Sequence, residues 1–440
     1  MRRFTGALCS TVLACVSSSP PPGPSPLPEA WRPADALRER VPRSGSRPIV
    51  LDDADGLSPD EAAILAIDQN PRLRAVRAQR GLGQAELIGA GILPNPRLEG
   101  SLDFPAFSSD EAKVLGYGAG LSWNVTPLLS RGARVSAAEE NLASVDLEVA
   151  WQEWQVAQAA RLHAVRTIYI ERRARLGREL EETWRQRLDG LRQARAASAV
   201  TELEVSSGER SFAEARVSRL DLDQRAVSER SELDRALGID GTQDVVLDAS
   251  FTLTSTAPRR EDLLAEIPRH RLDLIALQHA FRSHDSALRA EVIAQSPPVE
   301  IGFHVSRGVD RVGSAGVTLS FDIPFFDRNQ RNVARASAER TQVEAEYDAR
   351  LIEARADVIR TIKEQAIVRE QLAATREASE AAGRLAEQAR AAAVSGALSP
   401  LLASDILERS YGSRLRVLEI EQTLAELEIA LALVSGTDAP

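Results

Sequence analysis

Two periods alternate along this chain, and the points where one gives way to the other outline its elements. Leu98, Gly100, Leu102 and Phe104 alternate with Arg97, Glu99, Ser101 and Asp103, while Tyr117, Ala119, Leu121, Trp123 and Val125 alternate with smaller or polar residues. Val299, Ile301, Phe303 and Val305 repeat the pattern, as do Val317, Leu319, Phe321 and Ile323. A period of two predicts strands with one apolar and one polar face, here over 97–105, 115–126, 298–307 and 314–323. Two soluble hairpins packed on a helix would show the same alternation.

The long stretches after each strand pair carry the helical period instead. No proline lies between Gly132 and about Ala197, and from Asn329 to about Val394 the sole glycine is Gly383. Roughly 65 residues at ~1.5 Å each make a rod on the order of 100 Å long, which no compact domain needs. The first rod has two apolar stripes, one through Leu142, Val145, Val149, Val156 and Ala159, the other through Leu147, Ala150, Trp154, Ala157, Ala164 and Ile168. Two stripes predict a neighbour on each side, as in a closed ring of helices. In the second rod Ile352, Ile359, Ala366 and Ala373 recur every seven residues beside Leu351 and Val358.

These patterns are written twice. Leu121-Ser122-Trp123-Asn124-Val125 matches Leu319-Ser320-Phe321-Asp322-Ile323, each followed by a proline, Pro127 or Pro324. Upstream, the helical run Pro59 to Gly91 corresponds to Glu261 to Ala294; downstream, Val200-Thr201-Glu202-Leu203 sits where the second copy has Leu398-Ser399-Pro400-Leu401. The matches fall about 200 residues apart, beyond the period of solenoid repeats, so one module is duplicated. We place the first repeat at 51–240 with a helical hairpin over 130–236, a linker at 241–260, and the second repeat at 261–440 with a hairpin over 328–435. The fold class is mainly α with a small β part.

The first residues change where the chain is expected to work. Arg2 and Arg3 precede a short apolar run to Ala14, which reads as a secretory signal over 1–14. Val12-Leu13-Ala14-Cys15 matches a bacterial lipobox, making Cys15 the candidate for lipidation, with 15–50 as a serine- and proline-rich tether. No segment approaches the ~18 apolar residues of a spanning helix, so a membrane crossing must use strands. A net charge of −10 leaves no basic field for nucleic acid.

With the duplicated module, the Asn70-Pro71-Arg72-Leu73 start of a helix, the Leu93-Pro94-Asn95-Pro96 segment before the strands and the Gly396 to Ser399 turn, the chain resembles the TolC-like outer-membrane efflux proteins from about Pro59 to Leu433. That resemblance implies a homotrimer in the outer membrane of a Gram-negative bacterium, each chain giving four strands to a twelve-stranded barrel continued by a periplasmic helical tube. It also implies a periplasmic adaptor protein and an inner-membrane pump, of the resistance-nodulation-division type, as partners. Physics agrees on closure, because four strands cannot close a barrel and their edges need copies of the same chain. Leu121, Trp123, Leu319 and Phe321 become candidates for facing outer-membrane lipid. The adaptor-contacting turns become Val200, Thr201, Glu202 and Leu203, with Gly396, Leu398, Ser399, Pro400 and Leu401. Asp405 is the candidate for a cation-selective constriction at the periplasmic gate.

No catalytic motif or cofactor fingerprint is present, and we expect no enzyme and no cofactor. His270, His279, His284 and Asp285 share a helical region, but spacings of nine and five residues put no two histidines at i, i+4, which argues against a metal site. His163 and His304 are isolated. The function expected is an exit duct for small solutes or metal cations; a periplasmic coiled-coil scaffold or adaptor and a type I secretion duct are the competing readings.

Overall fold

The computed structural model describes residues 56–105, 114–242, 245–251 and 260–437. The 1–14 signal, Cys15, the 15–50 tether, residues 106–113 and parts of the 241–260 linker lie outside the described residues.

The first module begins with α1 (Pro59–Gln69) and α2 (Pro71–Gly91). Ser58 and Glu61 form a reciprocal capping box at the start of α1. Sequence periodicity runs unbroken from Pro59 to Gly91, yet the backbone breaks at Asn70. Pro71 cannot continue a preceding helix but suits the first turn of a new one, and the Asn70 side chain accepts from Arg72 N. Strands β1 (Arg97–Asp103) and β2 (Gly116–Asn124) follow. Helix α3 (Thr126–Ala196) then runs 71 residues and returns as α4 (Glu202–Leu237). At ~1.5 Å per residue α3 is about 105 Å long. It starts before residue 130 because Pro127 sits in its first turn.

The second module repeats this order with α5 (Arg260–His270), α6 (Leu272–Ile293), β3 (Val299–Arg307), β4 (Gly313–Phe321), α7 (Gln330–Val394) and α8 (Pro400–Ser435). Its helical run is likewise broken, at Arg271. The strands form one antiparallel sheet in the order β1-β2-β3-β4. The alternation runs past the ladder ends at Asp103 and Phe321, to Phe104 one residue on and Ile323 two residues on, which have no ladder partner among the described residues.

Each strand continues into a helix, and the helices keep the strands' order: α2 packs on α3, α3 on α6, and α6 on α7. The hairpins α3/α4 and α7/α8 extend away from the sheet and meet through α3 and α8. Val165 and Tyr169 of α3 pack with Ala425 of α8, and Ile267, Leu274, Ala354, Val358 and Leu431 join α5, α6, α7 and α8. Both stripes of α3 find neighbours: Val149, Ala157, Ala164 and Ile168 are buried. On α7 Ala354, Val358 and Leu372 are among the buried residues, whereas Ile352 is 68% exposed. The apolar repeat through Ile352 is thus uncovered in the single chain. Among the described residues no helix is long and apolar enough to cross a membrane.

Candidate functional site

The sheet separates chemistry by face. Pairing sets Leu98 opposite Leu121, Leu121 opposite Phe303, and Phe303 opposite Val317; one step along, Trp123 faces Ile301 and Ile301 faces Leu319. Because side chains alternate, these residues share one side with Leu102, Tyr117, Val305 and Phe321. This side is apolar except for Arg307 at one end, opposite Tyr117, and Leu98, Phe303 and Val317 are all more than half exposed. Leu121, Leu319 and Phe321 stand on it uncovered. Trp123 is half-buried, and its Nε1–H donates to the Pro94 carbonyl at 2.7 Å, satisfying the one polar atom of an otherwise apolar ring. Sequence reasoning singled out four residues here; the strand register brings in Leu98, Ile301, Phe303 and Val317, whose signal was the same alternation.

The opposite side carries Ser101 and, around a shallow cleft of about 250 Å³, Arg97, Glu99, Ser122, Glu300, His304, Thr318 and Ser320. The His304 ring lies over Gly316, where a Cβ would come within 2.8 Å of it, and pairs with Thr318 Oγ1 at 3.2 Å. One face is therefore largely apolar and the other polar, the division that a membrane barrel wall requires. Among the described residues the outer edges of β1 and β4 have no partner strand, and such edges template pairing with another chain.

At the far end of the hairpins the two reversals are built alike. Ser198 has φ 57° and Gly396 φ 75°, both left-handed, and each is followed three residues on by a helix cap, Thr201 or Ser399. Thr201 and Glu204 form a capping box, and hydrogen bonds from the Thr201 backbone and hydroxyl hold the Glu204 carboxyl below its usual range. Leu203 is 79% exposed, Thr201 and Glu202 are exposed, and Leu398 is partly covered. The side chains of Pro400 and Leu401 lie outside the described residues. Val200 and Glu204 of the first reversal line a notch with Ser404 of the second, which brings the two turns together. Asp405, next to Ser404, is half-exposed and pairs with Arg409 at 3.0 Å along its own helix.

The histidines are engaged singly. His270 meets Glu266, His279 Nδ1 lies 2.6 Å from Glu140, and His163 is 3.5 Å from Glu229. Asp285 is held by Arg289 and Arg340. Among the described residues no group of three His, Cys, Asp or Glu side chains is placed to hold a metal ion.

The sheet is two-faced, its outer edges are open among the described residues, and it is continued by helices in the same order as the strands. Residues 264–437, most of the second module, match the family model "Outer membrane efflux protein". The whole chain has the fold of the outer-membrane channel OprN (15% identity, 90% of this chain and 97% of that one, TM-score 0.73) and of CmeC from Campylobacter jejuni (13%, 94% and 94%, 0.73). The open-state MtrE channel of Neisseria gonorrhoeae is also similar (16%, 94% and 98%, 0.66). No curated protein sequence matches the chain significantly.

Proposed function

We propose that the protein is the outer-membrane exit duct of a tripartite efflux system, in which three copies close a barrel and a periplasmic tube. The observation that carries this reading is the four-stranded sheet with one face apolar but for Arg307 at its end, the other polar, and both edges open among the described residues. Apolar residues at Leu121, Trp123, Leu319 and Phe321 then meet lipid, while Glu99, Glu300 and His304 meet the aqueous lumen. Cys15 tethers the mature terminus to the membrane by its lipid. The duct is passive, and an inner-membrane pump of the resistance-nodulation-division type, joined through a periplasmic adaptor, hands it small solutes or metal cations.

The turns at Val200–Leu203 and Gly396–Leu401 meet the adaptor. Three symmetry-related Asp405 carboxylates ring the periplasmic mouth, where an acidic ring favours cations. In planar bilayers the protein is expected to give conductance steps that divalent cations block from the periplasmic side, and Asp405→Ala to weaken that block at least severalfold. Conductance without any effect of Asp405→Ala would remove the gate assignment; no conductance at all would leave the scaffold reading in front.

A further inference from the structure

A groove of about 560 Å³ runs along α8 between α3 and α7, formed within a single chain. Helices α3 and α7 run from the sheet toward the reversals and α8 returns, so equal rise per residue sets the levels along it. Toward the sheet stand Arg172 and Arg175 of α3, Arg376 of α7 and Glu421 of α8; toward the reversals stand Glu179, Glu380 and Arg414. Between the two groups Leu176 is buried and Val417 and Leu418 are half-buried, which gives the groove an apolar floor. The carboxylates are committed elsewhere. Glu421 Oε1 lies 2.6 Å from Arg376 Nη2, Glu179 turns to Arg414 at 3.8 Å, and Glu380 turns to Arg384 at 3.9 Å on its own helix. Arg172 is fixed without one: its Nη2–H groups donate to the carbonyls of Ala249 and Phe251, and the guanidinium lies 5.1 Å from the centre of the Tyr169 ring. Arg175, exposed one turn further on, makes no ion pair among the described residues. Residues 252–259, which follow Phe251 in the chain, include no Asp or Glu. Like charges three residues apart on a helix repel, and among the described residues no carboxylate is paired with either arginine.

We propose that the sheet-side end of this groove binds the carboxylate of an organic acid through Arg172 and Arg175, with the acid's hydrocarbon body lying on Leu176, Val417 and Leu418. Guanidinium forks match a carboxylate in geometry as well as charge. The backbone carbonyls that hold Arg172 order it before a ligand arrives, which lowers the entropy lost on binding. An anion seated there also relieves the repulsion between the two arginines. A bare phosphate would do the same, but it would leave the apolar floor wet, whereas a hydrocarbon body removes that surface from water. At the other end Glu179 and Glu380 outnumber Arg414, which disfavours a second anionic group. The class of ligand is therefore an acid charged at one end and apolar along its body, of a size that a groove of this volume suits.

Titration calorimetry of the full-length, detergent-extracted protein with 4-phenylbutyrate, corrected against detergent alone, tests the site. Saturable binding of one molecule per chain is expected. Arg175→Gln and Arg172→Gln should each weaken it at least fivefold, while Arg178→Gln, whose guanidinium pairs with Asp223 outside the groove, should change it less than twofold. Arg175 is exposed, so its variant keeps the test sound if loss of the Arg172 carbonyl contacts disturbs folding. The neutral 4-phenylbutyramide and inorganic phosphate should both bind at least tenfold more weakly. No saturable binding to the unmodified protein, equal binding of the amide or of phosphate, or undiminished binding by Arg175→Gln would overturn the proposal. Because the groove lies within one chain, light scattering of the same samples reports on the trimeric duct separately: trimers that bind nothing would overturn the site alone, and monomers that bind would support the site and remove the duct.

Discussion

Gly238 closes helix α4 directly against Asn70. Its φ of 78° is left-handed, a Cβ there would lie 2.9 Å from Asn70 Cα, and the Asn70 Nδ2–H donates to the Ala236 carbonyl at 3.1 Å. The same joint recurs in the second module, where Gly436, φ 75°, abuts Arg271 and the Arg271 guanidinium reaches the Val434 carbonyl. One helix end thus locks onto one helix break in each repeat. Gly238→Ala combines left-handed strain of roughly 1–2 kcal/mol with a backbone collision. It should lower the thermal midpoint clearly, while Gly132→Ala, where nothing lies within 4 Å, should not.

In the second joint the asparagine is replaced by an ion pair. Arg271 and Asp273 are both nearly buried, Nε lies 2.9 Å from Oδ1, and the guanidinium stacks on Trp151 of the first module at 4.9 Å. Removing one partner strands the other charge. Arg271→Ala should cost about 3–5 kcal/mol in unfolding, whereas replacing Arg271 and Asp273 together with apolar residues of similar size should cost much less. Denaturant titration of the detergent-solubilised protein measures both.

The two sides of the sheet should tolerate charge differently. Leu319→Arg puts a guanidinium on the apolar face and is expected to cost about 2–4 kcal/mol near the bilayer midplane. Thr318→Arg, its neighbour on the polar face, should assemble normally. Membrane yield of trimers reads both, and equal loss for the two would contradict the assignment of faces.

Glu148 lines a cleft of about 480 Å³ with Trp151, Glu346 and Arg350. Burial pushes its carboxyl up, and the nearby Glu346 carboxylate adds to the rise. A raised native value means that the folded chain holds this proton more tightly than the unfolded one. The associated stability is present at acid pH and is lost as pH rises through the native value. Glu148→Gln should therefore raise the thermal midpoint at pH 8 and change it little at pH 4.5. An equal gain at both would assign the effect to packing.

The sequence disclosed the strands through Leu319 and Phe321 and the long helices through their unbroken periodicity, because local alternation and proline absence are local facts. The duplicated Val200 and Leu398 segments marked the reversals for the same reason. It did not disclose that α2, α3, α6 and α7 follow the order of the strands, since that order depends on contacts about 150 residues apart, such as His279 with Glu140 and Ser283 with Ala137. The helix start at Asn70-Pro71 was legible, but the break at Arg271 was not, because apolar periodicity runs straight through it and the joint with Gly436 accompanies the interruption. Ile352 was read as one position of a seven-residue repeat; only the packing shows that this repeat points away from the chain's own core.

The central claim is that copies of this chain close into a tube. Electron microscopy of the detergent-extracted protein tests it most directly: threefold particles with a hollow stalk on the order of 100 Å are expected from the helix lengths. Compact monomers, or protein that leaves the membrane without detergent, would contradict it.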